Sequence, residues 1–266
     1  MTLVGQATFR AAQEIELEHA SVFVYRPETA PDTAPALFWI HGGGLVVGDA
    51  RQDGPFLTRI ADELGVVVAS VQYRLAPAHP YPAPLDDCVE GFRWLADQSD
   101  VDADRLMVGG ASAGGGLAAA LCQRLLAEGG PMPSFQLLVY PMLDDRSATG
   151  SDPADELHRL WNRDSNAYGW QSYLGDHAPA APAVPARATD HAGLCPAWIG
   201  VGTADLFHDE DVEYAARLRD AGVAVDLEIV DGAYHGFDVV HANADVSQSF
   251  TRSMIDALSR QRAVSD

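Results

Sequence analysis

The sequence predicts an α/β protein with a mostly parallel central sheet flanked by helices. Short apolar runs bounded by turn residues recur along the 266-residue chain, and segments of helical period separate most of them. Two of those runs end directly in glycine-rich stretches, HGGG from His41 and GASAGGG from Gly110. Strands that alternate with helices call for crossover connections, which make neighbouring strands parallel and cover both faces of the sheet.

In chain order, the runs 21–25, 36–40, 66–71, 105–109, 135–140, 197–201 and 225–230 read as strands. The segments 54–64, 84–97, 112–128, 209–221 and 246–260 read as helices. The alternation breaks between 144 and 195, a stretch rich in Pro, Ala and Asp that carries Trp161, Tyr168, Trp170 and Tyr173. A loop of that length without structure of its own is unusual in a compact domain. Four large aromatics also argue against a disordered linker, so short helices forming a lid or insertion are expected within a single domain spanning 1–266. No internal repeat is found.

Composition removes several functions. The formal net charge is −21, from 38 acidic against 17 basic residues, and it repels phosphate backbones and anionic lipid surfaces. Neither nucleic acid nor membrane is an expected partner. No lysine occurs anywhere, which excludes Schiff-base chemistry on a lysine amine. Cys88, Cys122 and Cys195 are widely spaced and read as buried thiols rather than a metal or disulfide framework. No pair of histidines has a metal-binding spacing on an expected helix, so no metal site is expected. The first twenty residues lack a signal-peptide pattern and no apolar run is long enough to span a bilayer. A soluble, cytoplasmic protein is the expectation.

The chemistry concentrates in "RLMVGGASAGGGLAAALCQRLL", residues 105–126. A strand, then Gly110-Ala-Ser112-Ala-Gly114, then an alanine-rich helix is the strand, turn, helix context of a GxSxG nucleophile elbow. Side chains two residues either side of the serine would collide in so sharp a turn, which accounts for Gly110 and Gly114. A serine hydroxyl needs a base, and the base needs a carboxylate to orient it. Asp205 follows the strand 197–201 and His235 follows the strand 225–230, each at the carboxyl edge where open α/β sheets place their sites. Asp209, Glu210 and Asp211 compete with Asp205, but fall where a helix begins and read as dipole complements. Attack on a carbonyl makes its oxygen negative, and backbone N–H groups must meet it. Ala113, Gly43 and Gly44 are the candidate donors, with His41 and Gly42 shaping the turn.

With these motifs in place the sequence resembles the hormone-sensitive-lipase-like family of bacterial carboxylesterases, an α/β-hydrolase group. "YRLAPAHPYPAPLDD" from Tyr73, "YPMLD" from Tyr140 and "DLFHDEDVEYAARLRDAGV" from Asp205 add to the likeness, which runs from about residue 12 to residue 260. The resemblance implies an α/β-hydrolase fold, hydrolysis of short to medium acyl esters through an acyl-serine intermediate, no cofactor, and a helical cap over the acyl pocket. It also implies a small-molecule ester as the partner, and homodimers through a sheet edge or the C-terminal helix occur in the family.

Departures from the family pattern are Ala111 before the serine, where Asp or Thr is usual, Leu206 in place of proline after the acid, and Leu45 after HGGG, where an aromatic is common. Leu45 is therefore a candidate substrate-binding residue that reshapes the neighbouring pocket. The leader before the first strand is short for the family, so a reduced cap is expected, built on 144–195. Such a cap implies either a more open site for bulky esters or a partner subunit that covers it. Two other readings stay open on the residues alone: an arylformamidase-type amidase, and a non-catalytic ligand-binding protein on the same fold.

Overall fold

The computed structural model describes residues 12–27, 31–149 and 158–262. Among these residues eight strands form one sheet in the order β1-β2-β4-β3-β5-β6-β7-β8. They are β1 (Gln13–Glu16), β2 (Ser21–Tyr25), β3 (Ala34–Ile40), β4 (Val67–Gln72), β5 (Val101–Ala111), β6 (Gln136–Val139), β7 (Ala197–Gly202) and β8 (Val225–Val230). β2 runs antiparallel to both β1 and β4, and every pair from β4 to β8 is parallel. This is the α/β-hydrolase architecture that the sequence predicts.

Among the described residues seven α-helices accompany the sheet: α1 (Gly54–Leu64), α2 (Ala83–Ala96), α3 (Ala113–Glu128), α4 (Arg163–Leu174), α5 (His208–Asp220), α6 (Phe237–Val240) and α7 (Asp245–Arg262). β3 shows why both faces are covered. All of its residues are buried, and they alternate between two cores: Phe38 and Ile40 pack with α2, α3 and α5, whereas Leu37 and Trp39 pack with α1 and α7. A strand with no polar face can sit only between two helical layers.

Local chemistry sets the helix ends. α1 carries a proline in its first turn and stops at Gly65, whose φ of +64° lets its N–H close back on the Ala61 carbonyl; this is the usual asymmetry of proline at the start and glycine at the end. α1 buries Leu57, Ile60, Ala61 and Leu64, one stripe at helical spacing. α3 is buried almost all round, as befits a helix pressed against the centre of the sheet.

Register decides where the site forms. Ile40 pairs with Gly110, Ala111 with Val139, and Gly202 with Val230. The carboxyl ends of β3, β5, β6, β7 and β8 therefore share one edge.

The structure adds several elements to the sequence reading, α6 among them. β1 is a short, largely exposed strand paired on β2. Inside the insertion, α4 and the 3-10 turns Asp145–Ala148 and Pro185–Arg187 provide the short helices; positions 150–157 of that segment lie outside the described residues. Cys122 and Cys195, remote in sequence, meet at 4.0 Å between sulfurs, and all three thiols are free and buried. Among the described residues no helix is long and apolar enough to cross a membrane.

Candidate active site

Ser112 sits between β5 and α3 with φ +57° and ψ −124°, in the left-handed half of backbone space that a serine rarely enters. The turn is that tight because β3 lies directly beside it. A Cβ on Gly114 would fall 2.0 Å from the Ile40 carbonyl oxygen, and one on Gly110 would fall 2.4 Å from Gly114. Only glycine leaves room at either place. The Ser112 N–H donates to the Val139 carbonyl at 2.8 Å and the Ser112 carbonyl accepts from Met142 N–H at 3.0 Å, so the end of β6 and the turn after it clamp the elbow from its other side.

The turns after β7 and β8 are tied to each other. Thr203 N–H donates to the Val230 carbonyl and Ala204 N–H to the Ala233 carbonyl, both at 2.9 Å. Asp205 and His235 therefore arrive as a unit. Ser112 Oγ lies 3.0 Å from His235 Nε2, and His235 Nδ1 lies 2.8 Å from Asp205 Oδ2. Asp205 Oδ1 accepts the Phe207 N–H at 3.0 Å, which fixes the carboxylate plane. The imidazole rests edge-on against Phe207 and Tyr140, with ring centroids 5.1 and 4.7 Å away. Ser112, Asp205 and His235 are all more than nine-tenths buried, so their mutual interactions are little screened by water.

The HGGG stretch leaves β3 and passes over the elbow. Gly43 has φ +123° and Gly44 φ +59°, conformations open to glycine at little cost. The Gly43 carbonyl accepts from both Val46 and Val47, closing the loop. Among the described residues, the N–H groups of Gly43, Gly44 and Ala113 make no hydrogen bond to another part of the chain. His41 is fully buried, stacked on Tyr73 at 4.3 Å. Burial lowers its pKa, which keeps it neutral, with Nδ1 2.8 Å from the Gly42 carbonyl. Tyr73 Oη donates to the His41 carbonyl at 3.0 Å, so the aromatic pair braces the loop from beneath.

Leu45, singled out as a substrate-binding residue, is only 3% exposed and packs in the core. Its carbonyl accepts from Ala76. Direct contact with solvent at this loop falls instead to Val47, 60% exposed.

The rival acids part company. Asp209 is exposed and pairs with its neighbour His208, as a dipole complement should. Glu210 and Asp211 are not of that kind, because both are buried. The first turn of α5 has one side facing solvent and another facing the protein, which a run of adjacent acids does not reveal. Glu210 Oε1 accepts Leu143 N–H at 2.6 Å and Asp144 N–H at 3.1 Å, and Oε2 pairs with the Ser147 hydroxyl. It thus anchors the root of the insertion. Burial pushes its pKa up to about 8. Among the described residues Asp211 has no hydrogen-bond partner on either oxygen, and burial raises its pKa as well.

The sequence reading placed a lid in 144–195 but did not single out the residue that roofs the loop. The Trp161 indole lies over Gly44, where a Cβ would come within 1.9 Å of it, and its Nε1–H donates to Asn166 Oδ1 of α4 at 3.2 Å. α4 itself approaches through Gly169, beside the Gly44 carbonyl. Trp161 was visible only as an aromatic in an irregular stretch. No spacing signal marks its target.

Comparison with known proteins agrees with this architecture. The family model for the alpha/beta hydrolase fold matches residues 37–239, and the chain belongs to the α/β-hydrolase family. Within that family it groups with the hormone-sensitive-lipase-like carboxylesterases. It is 38% identical to esterase LipI of Mycobacterium tuberculosis over 224 residues, which are 80% of this chain and 69% of that protein. A bacterial heroin esterase superposes with a TM-score of 0.86 at 37% identity, over 95% of this chain and 83% of that one. An esterase of the bacterial hormone-sensitive lipase family gives a TM-score of 0.86 at 28% identity, over 97% and 87%.

Proposed function

We propose that the protein is a serine carboxylesterase that cleaves short to medium acyl esters through an acyl-serine intermediate. Its class is carboxylic ester hydrolase, in keeping with the ester-hydrolase activities named for relatives it matches. The observation that carries the mechanism is the hydrogen-bonded series from Ser112 through His235 to Asp205, at 3.0 and 2.8 Å.

In this reading Ser112 Oγ donates its proton to His235 Nε2 as it attacks the ester carbonyl. Asp205 accepts from His235 Nδ1–H, holds the tautomer and stabilises the imidazolium that forms. The free N–H groups of Gly43, Gly44 and Ala113 receive the developing oxyanion, and because the loop is already bent they need no rearrangement at the moment of reaction. His235 then returns the proton to the leaving alcohol, and water, activated the same way, releases the acid. The segment 144–195 acts as the cap, with Trp161 as its contact on the oxyanion loop. Leu45 backs that loop from the core, setting the pocket wall from behind.

Treatment with a fluorophosphonate, followed by peptide mass spectrometry, tests the assignment. A single adduct on Ser112, formed in proportion to lost esterase activity, is the expected result. Loss of esterase activity with no adduct at Ser112, or full activity with Ser112 fully labelled, would refute the nucleophile.

A further inference from the structure

His235 follows β8 in a turn that runs at once into α6, and the far side of that turn is tied to the sheet. Tyr140, directly after β6, is buried, and its Oη–H donates to Asp238 Oδ1 at 3.0 Å. Asp238 lies three residues beyond His235, in the first turn of α6. Its carboxylate also accepts from the backbone N–H groups of Asp238 and Val239, so the bond from Tyr140 grips the start of the helix and not a side chain alone. The same tyrosine ring stands edge-on to the His235 imidazole at 4.7 Å and lies nearly parallel to Phe250 of α7 at 6.5 Å. Tyr140 therefore touches the imidazole directly and also holds the segment that carries it.

The backbone at this position makes the side chain the point of interest. Tyr140 stands at φ +36°, in the half of backbone space that a bulky residue rarely enters and keeps only where its surroundings fix it. Two bonds do so: Tyr140 N–H donates to the Gly200 carbonyl at 2.7 Å, and the Val139 carbonyl before it accepts the Ser112 N–H at 2.8 Å. Glycine would meet this φ at little cost, so a tyrosine is kept here for its ring and hydroxyl. The elbow, β6 and β7 thus set where the ring stands. Gly236, between His235 and α6, stands at φ +72° and gives the turn a pivot. A tie beyond that pivot keeps the imidazole aimed at Ser112 Oγ.

We infer that Tyr140 and Asp238 are positioning residues for the catalytic base: their hydrogen bond, together with the ring contact, holds His235 Nε2 in line with Ser112 Oγ. Neither takes part in the proton transfer itself. The inference rests on the assignment of Ser112 and His235 proposed above and adds two residues that act through His235.

The rate at which a fluorophosphonate labels Ser112 tests it, because that step needs the serine activated by its base and needs no ester. The rate is measured, with kcat and KM for p-nitrophenyl butyrate, in the wild type, Tyr140→Phe, Asp238→Ala, the two combined, and Asp238→Asn. All are assayed well below their thermal midpoints, where a purely structural role leaves the rate per folded molecule unchanged. Tyr140→Phe and Asp238→Ala should each slow labelling and kcat by about fivefold, with KM held within about twofold. The double variant should be no slower than the slower single one, since both changes remove the same bond. Asp238→Asn, whose amide oxygen still accepts, should recover most of what Asp238→Ala loses. Wild-type rates in either single variant, multiplicative losses in the double, a loss confined to KM, or no recovery in Asp238→Asn would each overturn the inference while leaving Ser112 in place. A wild type that the fluorophosphonate does not label at all would instead remove Ser112 as the nucleophile, and this inference with it.

Discussion

Trp161 lies so close over Gly44 that the loop has no room for a side chain there: an alanine Cβ would come within 1.9 Å of the indole. The insertion and the glycine-rich loop are thus fitted to each other, and the fit makes a prediction. Gly44→Ala must push the indole away and hold alanine at φ +59°, a strain of about 1–2 kcal/mol. If Gly44 N–H meets the oxyanion, kcat falls by about 10²-fold or more. Adding Trp161→Ala relieves the collision and should restore part of the loss. Kinetics of the two variants check this, and a Gly44→Ala enzyme with wild-type kcat would remove Gly44 from the oxyanion hole.

Asp205 and Asp211 are both buried acids in one stretch of chain, yet only Asp205 touches His235. Asp205→Asn should lower kcat by about 10⁴-fold with the fold intact, because the amide stabilises the wrong tautomer. Asp211→Asn should keep activity within about threefold and leave stability unchanged or improved, since its carboxylate has no partner to lose. Steady-state kinetics and thermal melts of both variants decide between them. A large loss in Asp211→Asn would reverse the assignment.

Glu210 predicts a pH dependence of stability. Its folded pKa of about 8 lies above the ordinary 4.5, so between those values the folded protein keeps a proton that the unfolded chain gives up. Its contribution is full below about pH 4.5 and is lost as pH rises towards 8. Glu210→Gln, which keeps the shape and cannot ionise, should flatten that decline in urea melts across the window. Glu210→Ala should instead destabilise at every pH, by about 2–4 kcal/mol, because the N–H groups of Leu143 and Asp144 lose their acceptor. Parallel pH profiles for Glu210→Gln and the wild type would contradict the raised pKa.

The strands were legible because sheet burial writes itself as apolar runs; β2 and β8 begin and end where the runs do. Ser112, Asp205 and His235 were legible as residue types at strand ends, and their spatial meeting depends on the parallel order that the alternation implies. β1 escaped because QEIE is too polar to stand out from a loop. α4 escaped in detail because it buries Asn166, Gly169, Trp170 and Tyr173 rather than an aliphatic stripe. The buried faces of Glu210 and Asp211 were hidden for a related reason. Which side of a helix's first turn meets the protein is decided by tertiary packing, and three adjacent acids look alike in sequence.

The central claim is tested most directly by hydrolysis of a p-nitrophenyl ester series, from acetate to dodecanoate, by the wild type and by Ser112→Ala, with a matched anilide alongside. The account predicts cleavage of the short to medium esters by the wild type, an intact anilide, and a fall to background in Ser112→Ala, a loss on the order of 10⁶ where such a nucleophile has been removed. Ester cleavage that survives in Ser112→Ala, or a wild type that cleaves the anilide and none of the esters, would contradict it.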